Sequence, residues 1–142
     1  MEENTITHNG LTQLELQGLH NVERNEFIFP DYTASYALDV DFNSTTPNVG
    51  GFDNNKVVAL LTPRPVRVGG NDSTINGNKI YNNGAADRAM SVYATDCAIT
   101  GNLLLVGASI SLEIAAARNI VVGNAAEVDD AGTDNVLLGN RV

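Results

Sequence analysis

A short pattern, apolar–x–x–Asn–x–apolar, recurs through the chain and constrains its fold more than any other feature. It stands at Ile75–Asn78–Ile80. It recurs at Met1–Asn4–Ile6, Val22–Asn25–Phe27, Phe52–Asn55–Val57, Ile99–Asn102–Leu104, Val121–Asn124–Ala126 and Leu137–Asn140–Val142. With 43% apolar residues the triplet arises easily by chance, and off-register copies exist at Asn9, Asn83 and Asn119. The spacing carries more weight. Successive asparagines lie 21, 30, 23, 24, 22 and 16 residues apart, mostly within the range of about 20–25 residues that marks stacked repeats. The agreement also runs past the pattern itself, since Asn4–Gly10 aligns with Asn78–Gly84 with Asn, Ile, Asn and Gly in step.

Between the asparagines the chain reads as strands. Leu14 and Leu16 alternate with Gln13, Glu15 and Gln17, and Leu38, Val40 and Phe42 alternate with Asp39 and Asp41. This period of two marks a strand with one buried face. Val66 and Val68, Met90 and Val92, and Ile110, Leu112 and Ile114 supply the later inward positions. Pro63 and Pro65 lack ladder donors and place an edge or turn before Val66. A helix over Ser111 to Arg118 is the alternative to strand, but the pattern resumes at Val121, which favours strand. The surplus of the longest interval falls in Asn43 to Gly51 (NSTTPNVGG), a protruding loop by composition. Turns are expected at Asn9–Gly10 and Asn83–Gly84.

In such a stack the apolar residues on either side of each asparagine point into a shared core. The asparagine is expected at a tight turn, where it tolerates left-handed geometry. Its amide can bond to the equivalent amides above and below, as in Asn ladders of cross-β stacks. The ladder would run Asn4, Asn25, Asn55, Asn78, Asn102, Asn124, Asn140. The fold class is therefore all-β: a short, single-stranded parallel β-helix of about six rungs, with the 142 residues forming one domain. The chain resembles the right-handed parallel β-helices of pectate-lyase-like proteins, whose rungs carry the same turn and an internal Asn stack. That resemblance implies the right-handed winding and the architecture. It does not carry an activity, because this architecture serves many functions. A weaker resemblance is to the β-helices of bacteriophage tailspikes and capsid-decorating proteins.

Composition removes several classes of function. The net charge is −9 with only 8 Lys and Arg, unsuited to a phosphate backbone or an anionic membrane. No apolar run reaches the length of a membrane span, and the acidic start MEENTITHNG is not a signal peptide. The single cysteine, Cys97, reads as a buried thiol. His8 and His20 lack a third ligand at metal-site spacing. Asp129, Asp130 and Asp134 fit no EF-hand loop and read as an acidic turn. The Gly–Gly pairs at 50–51 and 69–70 precede no helix and form no phosphate loop, and no nucleophile elbow is present. No cofactor or metal is expected.

The outward column of the aligned strands holds Glu15, Asp39, Asp41, Arg67, Ser91, Tyr93, Ser111 and Glu113. Asp39 with Asp41 or Glu113 is the candidate catalytic pair of a glycan hydrolase, which needs two carboxylates about 5–9.5 Å apart. The alternative is a surface on which Arg67 pairs with Asp39 or Asp41. Candidate binding residues are Tyr32, Tyr36, Arg67 and Tyr93, with Tyr32, Tyr36 and the Asn43–Gly51 loop as a contact surface. The chain opens and closes within a rung without caps, so its ends are expected to be continued or covered. The functional expectation is a structural virion protein, a homotrimer that decorates or projects from a bacteriophage particle and contacts capsid or tail proteins. The alternative is a polysaccharide-binding or polysaccharide-cleaving module acting on surface polysaccharide.

Overall fold

A computed structural model describes residues 4–8, 13–17, 21–33, 36–42, 50–82, 88–105, 109–113 and 116–141. The turns at Asn9–Gly10 and Asn83–Gly84, most of the Asn43–Gly51 loop, His20, Ile114, Met1 and Val142 lie outside the described residues. The first coil comprises β1 (Thr5–Thr7), β2 (Leu14–Gln17) and β3 (Asn21–Glu23). The second has β4 (Glu26–Ile28), β5 (Tyr36–Asp41) and β6 (Gly51–Asp53), and the third β7 (Lys56–Val58), β8 (Arg64–Asn71) and β9 (Thr74–Asn76). The fourth has β10 (Lys79–Tyr81), β11 (Arg88–Thr95) and β12 (Ala98–Thr100), and the fifth β13 (Leu103–Leu105), β14 (Ser109–Leu112) and β15 (Ile120–Val122). β16 (Val128–Asp130) and β17 (Val136–Leu138) close the sixth. No helix occurs among the described residues, and Ser109–Leu112 is strand, which resolves the start of the helix-or-strand alternative.

Like strands of successive coils pair in parallel to make three sheets. Sheet I is β1-β4-β7-β10-β13, sheet II is β2-β5-β8-β11-β14-β16, and sheet III is β3-β6-β9-β12-β15-β17. In the last coil an isolated bridge at Ala125, to Leu103 and Arg141, continues sheet I. The second to fifth coils have neighbours on both sides in every sheet, so the solenoid has about four fully enclosed turns. This is fewer than the six rungs expected, because the first and last coils are flanking layers.

Register explains the core. Val22, Phe52, Ile75, Ile99 and Val121 stack directly in sheet III, and all five are fully buried. Leu38, Val66, Met90 and Ile110 do the same in sheet II. Each large aliphatic side chain removed from water in this way contributes about 1.5–3 kcal/mol. Phe42 fills the corner beyond β5 and packs so closely on Gly50 that a Cβ there would lie 2.3 Å from the ring.

The asparagine ladder runs in one direction along the axis. The Asn78 Oδ1 accepts the Asn55 backbone N–H at 2.9 Å and the Asn55 Nδ2 at 3.1 Å. The Asn78 N–H and Nδ2 each donate at 3.0 Å to the Asn102 Oδ1. The same pair of bonds links Asn4 to Asn25, Asn25 to Asn55, Asn102 to Asn124, and Asn124 to Asn140. Each inner Nδ2 also donates to a carbonyl, that of Asn78 to Phe52 O at 2.6 Å. The left-handed residue, however, is not the asparagine but the one before it: Arg24, Asn54, Gly77, Gly101, Gly123 and Gly139 have φ between 53° and 65°. The preceding residue turns the chain, which frees the asparagine to point inward.

A second ladder stands at the corner between sheets II and III. The Gly50 N–H donates to the Ser73 Oγ, the Ser73 N–H to the Cys97 Sγ, the Cys97 N–H to the Asn119 Oδ1, and the Asn119 N–H to the Asn135 Oδ1. Here too the left-handed residues come just before: Asp72, Asp96, Arg118 and Asp134. Asn119, an off-register copy in the sequence, belongs to this ladder. The signal was available: residues 50, 73, 97, 119 and 135 each lie five before the first ladder's 55, 78, 102, 124 and 140.

Candidate functional site on the outer face of sheet II

β8 and β11 are the longest strands, eight residues each, so sheet II has the broadest outer face. Its register places Glu15, Asp39, Arg67 and Ser91 in one outward column, and Ser111 of β14 pairs with Ser91. Asp41, Gly69 and Tyr93 form the next. Tyr36 starts β5, opposite Arg64.

Three of the four candidate binding residues meet here. The hydroxyls of Tyr36 and Tyr93 are 3.0 Å apart, although they start from opposite ends of β5 and β11, which β8 separates, so both rings lie across the face. Arg67 sits between them, its guanidinium 4.6 Å from the Tyr93 ring centroid and 5.9 Å from that of Tyr36. Its Nη1 donates to the Asp39 Oδ2 at 2.9 Å. The Arg64 guanidinium is 5.8 Å from the Tyr36 ring centroid, and its Nη1 donates to the Tyr36 hydroxyl at 3.3 Å. Burial and the Tyr36 hydroxyl hold the Tyr93 phenol up at about 12. Ser91 lies fully buried in this cluster, beneath the Tyr36 hydroxyl that interacts with it. Tyr32 does not join the group. It is 6% exposed and packs edge-on against Phe29, because the chain turns into the core beyond β4.

The carboxylates are committed elsewhere. Asp39 is buried beside Arg67, and desolvation raises its carboxyl above the usual range despite that cation. Glu113 is bonded to the Arg88 Nη1 at 2.9 Å. Three strand steps separate the coil of Asp39 from that of Glu113, about 14 Å at ~4.8 Å per step. That lies beyond the reach of a glycosidase pair, so the Asp39–Glu113 pairing is corrected. Asp39 and Asp41 remain neighbours on one face, about 7 Å apart along β5. What the face offers chemically is two phenol rings and two guanidinium planes, suited to stacking and hydrogen bonding.

Other candidates take local roles. The Asp130 Oδ1 accepts from the Gly132 N–H and the Asn135 Nδ2, both at 2.9 Å, and so shapes the acidic turn. Asp129 approaches Arg88 at 4.0 Å. His8 packs against the Phe29 ring. Cys97 is a rung of the second ladder, and burial pushes its thiol up to about 11. A concavity lined by Ala126, Glu127, Val128, Leu137, Gly139 and Asn140 contains none of the candidate catalytic or binding residues. Compared with family models, curated proteins and solved structures, the chain matches none.

Proposed function

We propose that this chain is a structural module, a β-helix that assembles as a homotrimer and decorates or projects from a bacteriophage particle. The observation that carries this reading is the state of the sheet II carboxylates: Asp39 is held by Arg67, Glu113 is held by Arg88, and the two are three coils apart. A stiff stack with its inner amides bonded to one another suits a load-carrying part. Mass spectrometry of gradient-purified particles from the source should find the chain as a stoichiometric component. Particles without it would overturn the assignment.

The Tyr36–Arg67–Tyr93 cluster favours a second reading, a module that binds surface polysaccharide through stacking rings. On that reading Tyr93→Ala would abolish retention on a glycan array while the β-rich circular dichroism spectrum persists. If the chain cleaves such a glycan, Asp39→Asn or Asp41→Asn would remove the activity and leave the fold intact.

A further inference from the structure

The charges on the outer face of sheet II do not balance. Two of its arginines are neutralised in place: the Arg67 Nη1 donates to the Asp39 Oδ2 and the Arg88 Nη1 to the Glu113 Oε1, both at 2.9 Å. Arg64 is turned onto the Tyr36 ring and hydroxyl and lies in the field of Glu113. Once the two ion pairs cancel, Arg64 is set against three further carboxylates. Glu15 lies beside Asp39, Asp41 follows two residues on along β5, and Asp129 stands on β16, next to β14. The face is therefore net negative, as is the whole chain at −9.

We infer that the ligand of this face is an uncharged polysaccharide, a chain of neutral sugar rings, and that the face discriminates against polyanionic glycans. The inference rests on the polysaccharide-binding reading and names its ligand class. A neutral sugar ring offers an apolar face to the phenols of Tyr36 and Tyr93. Its hydroxyls can donate to ionised carboxylates, which are acceptors only. Glu15, which is exposed, and Asp41 present such acceptors. An acidic sugar would instead bring a second carboxylate up to these groups. Juxtaposed like charges weaken association by about tenfold or more. The guanidiniums offer a polyanion little compensation, because Asp39 and Glu113 already hold two of them.

A glycan array carrying neutral polysaccharides, acidic polysaccharides and the carboxyl-reduced form of each acidic member tests it with the chain as it stands. The chain should be retained on neutral members. Where a carboxyl-reduced form is retained, its acidic parent should bind about tenfold more weakly. Raising the salt to about 1 M, where the screening length is ~3 Å, should close that gap. Glu15→Gln/Asp41→Asn should also narrow it, with circular dichroism unchanged. Should that double variant unfold, Glu15→Gln alone, at an exposed position, gives the same reading. Preference for an acidic member over its carboxyl-reduced form, or a gap that neither salt nor the charge variants move, would overturn this inference and leave the polysaccharide-binding reading standing. Retention on no member, or retention that survives Tyr93→Ala, would overturn both.

Discussion

Replacing Asn78 by alanine tests the ladder at its centre. The Asn78 Oδ1 is the acceptor recorded for the buried Asn55 N–H, so the substitution strands that donor. It also removes the Nδ2 bonds to Phe52 O and Asn102 Oδ1. The damage is uneven. The Asn55 Nδ2 keeps Val22 O at 2.7 Å, and the Asn102 Oδ1 keeps the Asn78 backbone N–H at 3.0 Å. One orphaned buried donor costs about 1–3 kcal/mol, and each further bond lost about 1 kcal/mol. With the Asn55 Nδ2 bond to the Asn78 Oδ1 as the third further bond lost, the expected loss is about 4–6 kcal/mol in urea unfolding followed by circular dichroism. Asn140→Ala also takes the acceptor from the Asn124 N–H, but at a half-buried position where water can replace it, so it should cost less, about 1–3 kcal/mol. Amide exchange adds a local readout. Asn55 should lose protection, whereas Asn102, whose N–H donates to Asn124, should keep it. Equal losses for the two variants, or unchanged exchange at Asn55, would refute the directional ladder.

Cys97 should resist a thiol reagent at pH 8 in the native state and react fully in urea, because its thiol is buried with a pKa of about 11 and the thiolate is the reactive form. Cys97→Ser should retain an acceptor for the Ser73 N–H, while Cys97→Ala should orphan it and cost about 1–3 kcal/mol in the same unfolding assay. For Asp39 the folded pKa is raised, so its contribution to stability is fully present below the unfolded carboxyl pKa and is lost as pH rises through the folded value. Asp39→Asn should flatten that part of a stability–pH profile, and an unchanged profile would refute the assignment. In a spectrophotometric titration one tyrosine should ionise at about 12, and Tyr93→Phe should remove that step.

Much of this architecture was legible because it is periodic. A residue that returns at each coil must meet its own copies, so the spacing of Asn25, Asn55, Asn78, Asn102 and Asn124 specified a parallel stack with an internal amide ladder. The alternation of Leu38, Val40 and Phe42 with Asp39 and Asp41 specified which side of β5 is buried. The second ladder was harder to see because chemically different groups, Ser73, Cys97, Asn119 and Asn135, fill equivalent positions. Any side chain that accepts one N–H bond at that corner suffices, so no single residue type repeats.

The sequence by itself determined the repeat, the inward and outward faces and the outward column on sheet II, since these follow from local period and from stacking like on like. Only the tertiary structure decided which outward residues touch. Tyr36 and Tyr93 are 57 residues apart and meet because β8 sets the distance between β5 and β11. Tyr32, four residues before Tyr36, turns instead into the core. Asp39 and Glu113 share a face but not a neighbourhood, because three coils of parallel strand lie between them. Side-chain period is a property of the chain, but separation along the solenoid axis is set by how the coils stack.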